Sequence, residues 1–122
     1  GACSCKMPYK WAIEQGFEKI VVIRTQDIAY RKPLKELNPA FRIYRDYPHL
    51  LEALSEVDAL YNDQCDEIER LHVEGRLYRI APSEPVTIGK LEGDVEKLGD
   101  LYWLGCYDCM EHLDVLRAYL YM

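Results

Sequence analysis

Nucleophiles and metal ligands are sparse in this sequence, and their spacing decides what they can do. The five cysteines include Cys3-x-Cys5 and Cys106-x-x-Cys109, which together offer the four thiolates a tetrahedral zinc site needs. A zinc knuckle presents Cys-x-x-Cys on a tight turn, whereas Cys106 and Cys109 fall on the apolar stripe of a predicted helix. Cys65 holds the same kind of position on an earlier helix. The preferred reading is therefore free cysteine packed as a small hydrophobe, with a four-cysteine zinc protein as the lesser alternative. An odd cysteine count disfavours structural disulfides. His49, His72 and His112 lie far apart and have no metal-ligand partner at helical spacing, and His72 reads as the flank of a buried face. None of the serines, Ser4, Ser55 and Ser83, sits in a Gly-x-Ser-x-Gly elbow. Gly89 and Gly93 do not form a phosphate-binding loop. Asp63, Asp66, Glu67 and Glu69 read as one solvent-facing side of a helix. On this reading the chain carries no catalytic residue, no metal site and no cofactor motif.

The elements that would position these residues follow from Pro, Gly and apolar periodicity. Pro8 opens a short helix through Gln15, and Gly16 supplies its left-handed stop. Lys19 to Arg24 reads Lys-Ile-Val-Val-Ile-Arg, a continuous apolar run of the kind buried on both faces of a parallel sheet. Thr25 to Lys32 is polar loop. A helix is expected near Leu34 to Tyr44, broken or kinked at Pro39. Pro48 starts the clearest helix, with Leu50, Leu54, Val57, Tyr61, Cys65, Ile68 and Leu71 forming one face and Gly75 ending it. Leu77 to Ala81 forms a second strand closed by Pro82. Gly93-Asp94 caps a last helix with the stripe Leu98, Tyr102, Cys106, Cys109, Leu113, Leu116 and Leu120. Two strands joined by a helical crossover are parallel if they are neighbours. The fold class expected is α/β: about two parallel strands with a helical C-terminal extension, residues 1–32 ending an α/β layer and residues 33–122 forming the extension, all in one unit.

A chain of 14.3 kDa supports one core and, when compact, exposes about 6,800 Å². Its 49% hydrophobic and 30% charged residues exclude the disordered class. The apolar runs are too short to span a bilayer, and Lys6, Tyr9, Lys10 and Glu14 interrupt any signal-peptide core. A cytoplasmic location is expected, with peripheral membrane attachment as an option. The net charge of −6 is unevenly spread: residues 1 to 48 carry nine basic against five acidic residues, and residues 49 to 122 carry six against sixteen. The basic group is Arg24, Arg31, Lys32, Lys35, Arg42 and Arg45. Arg31 and Lys32 are its candidates for an anionic head group, although a surface salt-bridged to the acidic half is the preferred reading. Nucleic acid is not an expected partner, because no RNA-binding or zinc-finger motif accompanies the charges.

The opening residues Gly1-Ala2-Cys3-Ser4-Cys5-Lys6-Met7-Pro8, followed by Ala12-Ile13, Gly16 and Lys19-Ile20-Val21-Val22-Ile23, resemble the bacterial patatin-like phospholipases. In that family a catalytic aspartate stands before Gly-Gly or Gly-Ala, ahead of a loop, a helix and a Val/Ile-rich strand. Tyr30-Arg31-Lys32, Tyr47-Pro48, Tyr61-Asn62, Ile80-Ala81-Pro82-Ser83 and Leu101-Tyr102 with Leu104-Gly105 and Tyr107 resemble, in order, the C-terminal extension of one bacterial branch. Cys3 and Cys5 depart from the usual loop residues. The resemblance implies a lipid acyl hydrolase using a serine–aspartate dyad and an acyl-enzyme, with Gly1 and Ala2 as the remnant that follows the aspartate.

What the resemblance implies for this chain is a C-terminal part that lacks both the serine and the aspartate and is inactive alone. Its partner would be the N-terminal catalytic part, and lipid would be the substrate of the whole. The Ile20 to Ile23 strand would then have an open edge, a route to self-association. The alternative is an autonomous module that binds protein or anionic lipid.

Overall fold

The computed structural model describes residues 5–34 and 40–122. Pro8 precedes α1 (Tyr9–Glu14), and Gly16, at φ +82°, turns the chain out of it. β1 (Val21–Ile23) follows within the predicted run. Of the helix expected near 34–44, the short α2 (Ala40–Ile43) forms, Leu34 and Tyr44 are not helical, and residues 35–39, including the Pro39 break, lie outside the described residues. α3 (Pro48–Val73) has proline in its first turn and ends before Gly75, at φ +75°. Both glycines occupy the left-handed region that disfavours other residues. β2 (Tyr78–Ile80) leads through a loop to α4 (Val95–Leu120), where the Asp94 carboxylate accepts hydrogen bonds from the Glu96 and Lys97 N–H groups. This is an N-cap of the expected kind.

β1 and β2 pair in parallel, Val21 opposite Tyr78 and Ile23 opposite Ile80, in a mixed α/β fold whose longest C-terminal element is α4. Residues 1–32 and 33–122 are thus joined through the sheet. One face of the sheet meets α1 and α3 in a core of Tyr9, Ile20, Ile68, Leu71 and Leu77. The predicted α3 stripe is the buried one, from Tyr61 through Cys65 and Ile68 to Leu71. The other face, carrying Tyr78, meets α4.

Two expectations fail on this second face. β1 is not buried on both sides: Val21 is 38% and Ile23 73% exposed. α4 also turns a different stripe inward. Leu101, Leu104, Asp108, His112, Leu116 and Tyr119 are its more covered positions, while Leu98, Tyr102, Cys109, Leu113 and Leu120 are exposed and Cys106 is half-buried. Of the predicted stripe only Cys106 and Leu116 are partly covered. The physical cause is polar anchoring. Asp108 accepts from the Ser83 N–H at 2.9 Å, His112 Nδ1 lies 2.7 Å from the Tyr78 hydroxyl, and Tyr119 bonds β1. Such bonds fix the rotation of a helix that carries apolar residues on more than one face.

The outcome is an unusually large surface. The chain exposes 9325 Å², against about 6,800 Å² for a compact chain of its mass. Trp11, Ile23, Tyr102, Trp103, Tyr107 and Met110 all contribute, each more than half exposed.

Candidate functional site

In open parallel sheets ligands bind outside the carboxyl ends of the strands. Here those ends are Ile23-Arg24-Thr25 and Ile80-Ala81-Pro82. Arg24, counted with the basic surface group from sequence, is in fact buried at 5% exposure. Its backbone N–H extends the ladder to the Ile80 carbonyl at 2.8 Å, which draws the side chain beneath the sheet. There Nη1 donates to Glu69 Oε1 at 3.4 Å and Nη2 to Cys65 Sγ at 3.2 Å. Arg79, also buried, donates through Nη2 to Glu69 Oε2 at 2.8 Å, and its Nε lies 2.8 Å from Oε1 without an aligned hydrogen bond. One carboxylate therefore serves two buried guanidiniums. Glu69 was expected on a solvent face, and so was Glu67, which instead accepts from the Tyr9 hydroxyl and pairs with Lys10 at 3.1 Å. That Tyr9 bond holds the Glu67 carboxyl below its ordinary pKa, while burial and the same bond push the Tyr9 phenol up. Asp63 and Asp66 are exposed as expected.

Two hollows meet at Ile23 and Arg24. One, of about 190 Å³, is lined by Lys6, Met7, Ile23, Arg24, Thr25 and Tyr61. The other, of about 160 Å³, is an apolar groove between Ile80, Ala81, Pro82 and the α4 residues Leu101, Leu104 and Cys109. A third, of about 320 Å³, runs along β1 beside Tyr9 and Trp11.

The head-group candidates lie next to α3. Arg31 is held by Asp66, with Nη2 to Oδ1 at 2.6 Å, and gives Nη1 to the carbonyls of Ile28 and Tyr30. Lys32 lies 3.3 Å from Asp58, and its backbone is clasped by the Asn62 amide at 2.7 and 2.9 Å. Both cations therefore have acidic partners on α3. Gly1 and Ala2 lie outside the described residues.

The four described cysteines do not converge. Cys65 is buried beside Arg24, Cys5 is exposed near Met7, and Cys106 and Cys109 ride on α4. Among the described residues no three His, Cys, Asp or Glu side chains are grouped to hold a metal ion. His72 does flank a buried face, accepting from the Arg79 N–H at 3.2 Å. Among the described residues no helix is long and apolar enough to cross a membrane.

Residues 47–121, from the start of α3 to the end of α4, match the family described as Domain of unknown function (DUF6363). The chain belongs to that family. No curated protein and no solved structure matches it. The DUF6363 domain contains α3, β2 and α4, whereas β1 and α1 precede it. The carboxyl-end site is thus built from both sides of the boundary: Lys6 and Arg24 from the preceding segment, Tyr61, Glu69 and Arg79 from the domain. Sequence reasoning missed the Arg24–Glu69–Arg79 group. The one available signal was an arginine directly following the apolar run of β1, where its side chain shares a face with Val22.

Proposed function

We propose that the chain is the C-terminal part of a patatin-like lipid acyl hydrolase, inactive alone, whose β1 continues the catalytic sheet of the preceding part. The observation that carries this reading is the edge of β1 away from β2, which no strand among the described residues covers. The ladder to β2 uses Ile20 and Arg24 at its two ends, through Tyr78 N–H to Ile20 O and Arg24 N–H to Ile80 O, both at 2.8 Å. Parallel geometry alternates, so the N–H and C=O groups of Val21 and Ile23 point to the opposite edge, beside their exposed side chains. An apolar parallel strand in this condition is a template for another strand.

The surface area agrees with a missing partner. The excess over a compact chain is roughly 2,500 Å² on this chain, more than the ~800 Å² per partner of a standard interface. In this reading the serine, the aspartate and the oxyanion loop belong to the partner segment. What supports the patatin-like reading is the resemblance, in order, of this chain's short motifs from Gly1 to Tyr107 to that family.

A second reading, an autonomous protein-binding module, is favoured by the exposed Trp103, Tyr107 and Met110 on α4. Acidic Asp100, Glu111 and Asp114 on the same helix disfavour an anionic lipid surface for it.

The coding sequence upstream of Gly1 decides between them. The hydrolase reading expects an aspartate directly before Gly1 and a Gly-x-Ser-x-Gly elbow further upstream. An upstream sequence with neither would overturn it and leave the binding module.

A further inference from the structure

Among the described residues, the hollow at the end of β1 is lined by two cations, Lys6 and Arg24, and by no carboxylate. Lys6 and Lys32 approach the same Tyr61 ring, with their ammonium nitrogens 5.9 and 5.5 Å from its centroid. Lys32 has Asp58 as a partner, but among the described residues Lys6 forms no salt bridge. The neighbouring Lys32 and partial burial hold the Lys6 pKa below its ordinary value, while Lys32, beside Lys6 and Asp58, is held above its own. Arg24 closes the wall. Its two Nη groups are engaged, yet its Nε–H is buried without a partner. A buried charged donor left unpaired is costly, and a bound acceptor would remove that cost.

We propose that Lys6, Lys32, Arg24 and Tyr61 form a binding site for a phosphate-bearing anion at the carboxyl end of β1. Lys6 Nζ and Arg24 Nε–H supply charge-assisted donors, Lys32 adds field, and the Tyr61 ring forms one wall. The cavity of about 190 Å³ is smaller than the ~300–1,000 Å³ of drug-sized sites and suits a single phosphate-sized group. Glu69 does not cancel the site, because Arg79 shares it with Arg24. The site differs from the Arg31–Lys32 pair suggested by sequence: Arg31 already gives four of its five N–H groups to Asp66 and two carbonyls, while Arg24 keeps an unpaired Nε–H and Lys6 has no salt bridge among the described residues. It is independent of the hydrolase reading, since no ester chemistry is involved.

Titration of the full chain with inorganic phosphate, followed by proton–nitrogen NMR, tests this directly. The expected result is a saturable shift of the Arg24 Nε–H signal together with the Lys6 and Thr25 amides. Lys6→Gln weakens binding at least about tenfold, the factor one charge-assisted hydrogen bond supplies. Lys10→Gln, a cation paired with Glu67 and absent from the hollow's lining, leaves binding unchanged and controls for net charge. Flotation with phosphatidylcholine vesicles with and without phosphatidic acid identifies the source. Capture by the acidic vesicles, released by free phosphate and lost in Lys6→Gln, assigns a lipid head group. No capture, with the NMR shifts intact, assigns a soluble phosphate. An unshifted Arg24 Nε–H, or equal weakening by Lys6→Gln and Lys10→Gln, would overturn the site.

Discussion

The Tyr119 hydroxyl accepts a hydrogen bond from the Ile20 backbone N–H at 3.0 Å, across ninety-nine residues of chain. It also reaches the Ile20 carbonyl at 3.3 Å, so the last turn of the DUF6363 domain is tied to a strand that precedes it. Both groups are buried. Removing the hydroxyl with Tyr119→Phe leaves the Ile20 N–H without its acceptor, at a cost of about 1–3 kcal/mol. Urea denaturation should show the loss as a lower midpoint with an unchanged slope. A change under about 0.5 kcal/mol, typical of a surface substitution, would show that the tie does not hold β1.

Glu69 between Arg24 and Arg79 is the second structural joint. Glu69→Gln keeps the shape but leaves two buried guanidiniums facing a neutral amide. Breaking a buried ion pair costs about 3–5 kcal/mol, and the lower end applies because the Glu69 side chain keeps 23% of its exposure. Arg31→Gln, whose partner Asp66 is 71% exposed, should cost less than about 1 kcal/mol. Equal effects of the two variants in denaturant melts would refute the distinction between joint and surface.

Acid stability carries the sign of Glu67. The Tyr9 hydrogen bond lowers its folded pKa beneath the ordinary glutamate value of about 4.3, so the unfolded state binds the proton first as pH falls. The contribution is complete above the unfolded pKa and is lost as pH drops through the folded one. Wild type should therefore lose more stability than Glu67→Gln between roughly pH 5 and pH 3. Parallel pH profiles of the two proteins would contradict this.

These joints also explain what the sequence made legible. The α3 stripe was readable because one face alone is apolar, so a 3.6-residue period identifies Tyr61, Cys65, Ile68 and Leu71. Gly16, Gly75 and the Asp94 cap were readable because each has a local geometric cause. The rotation of α4 was not. With Leu98, Tyr102 and Leu113 on one side and Leu101, Leu104 and Leu116 on another, hydrophobicity barely discriminates between faces. Asp108 and His112 decide the rotation through partners on distant elements, Ser83 and Tyr78. Likewise, nothing local separates Glu69 from Asp66 on α3; only the arrival of Arg24 and Arg79 from the strands does. The same limit hid the hollow at Lys6, since its walls come from separate segments.

Among the described residues no strand pairs with the outer edge of β1, and under the proposed function that edge predicts self-association of the isolated chain. Sedimentation over a concentration series should show a rising average mass for the isolated chain. Ile23→Lys, at a position 73% exposed, should suppress that rise while shifting stability by less than about 0.5 kcal/mol. A chain that stays monomeric throughout, or an Ile23→Lys variant that associates as wild type does, would remove β1 as the contact.

Under the proposed function this chain would complete a serine hydrolase whose catalytic groups would lie on a preceding segment. The most direct measurement is p-nitrophenyl ester hydrolysis by the isolated chain, by the separately expressed upstream segment, and by the two together. The account predicts buffer-level rates for the chain alone and activity in the mixture that a serine-directed fluorophosphonate abolishes, with the label on the upstream segment. Fluorophosphonate-sensitive turnover by the isolated chain, or a mixture no faster than buffer although the two segments bind, would contradict it.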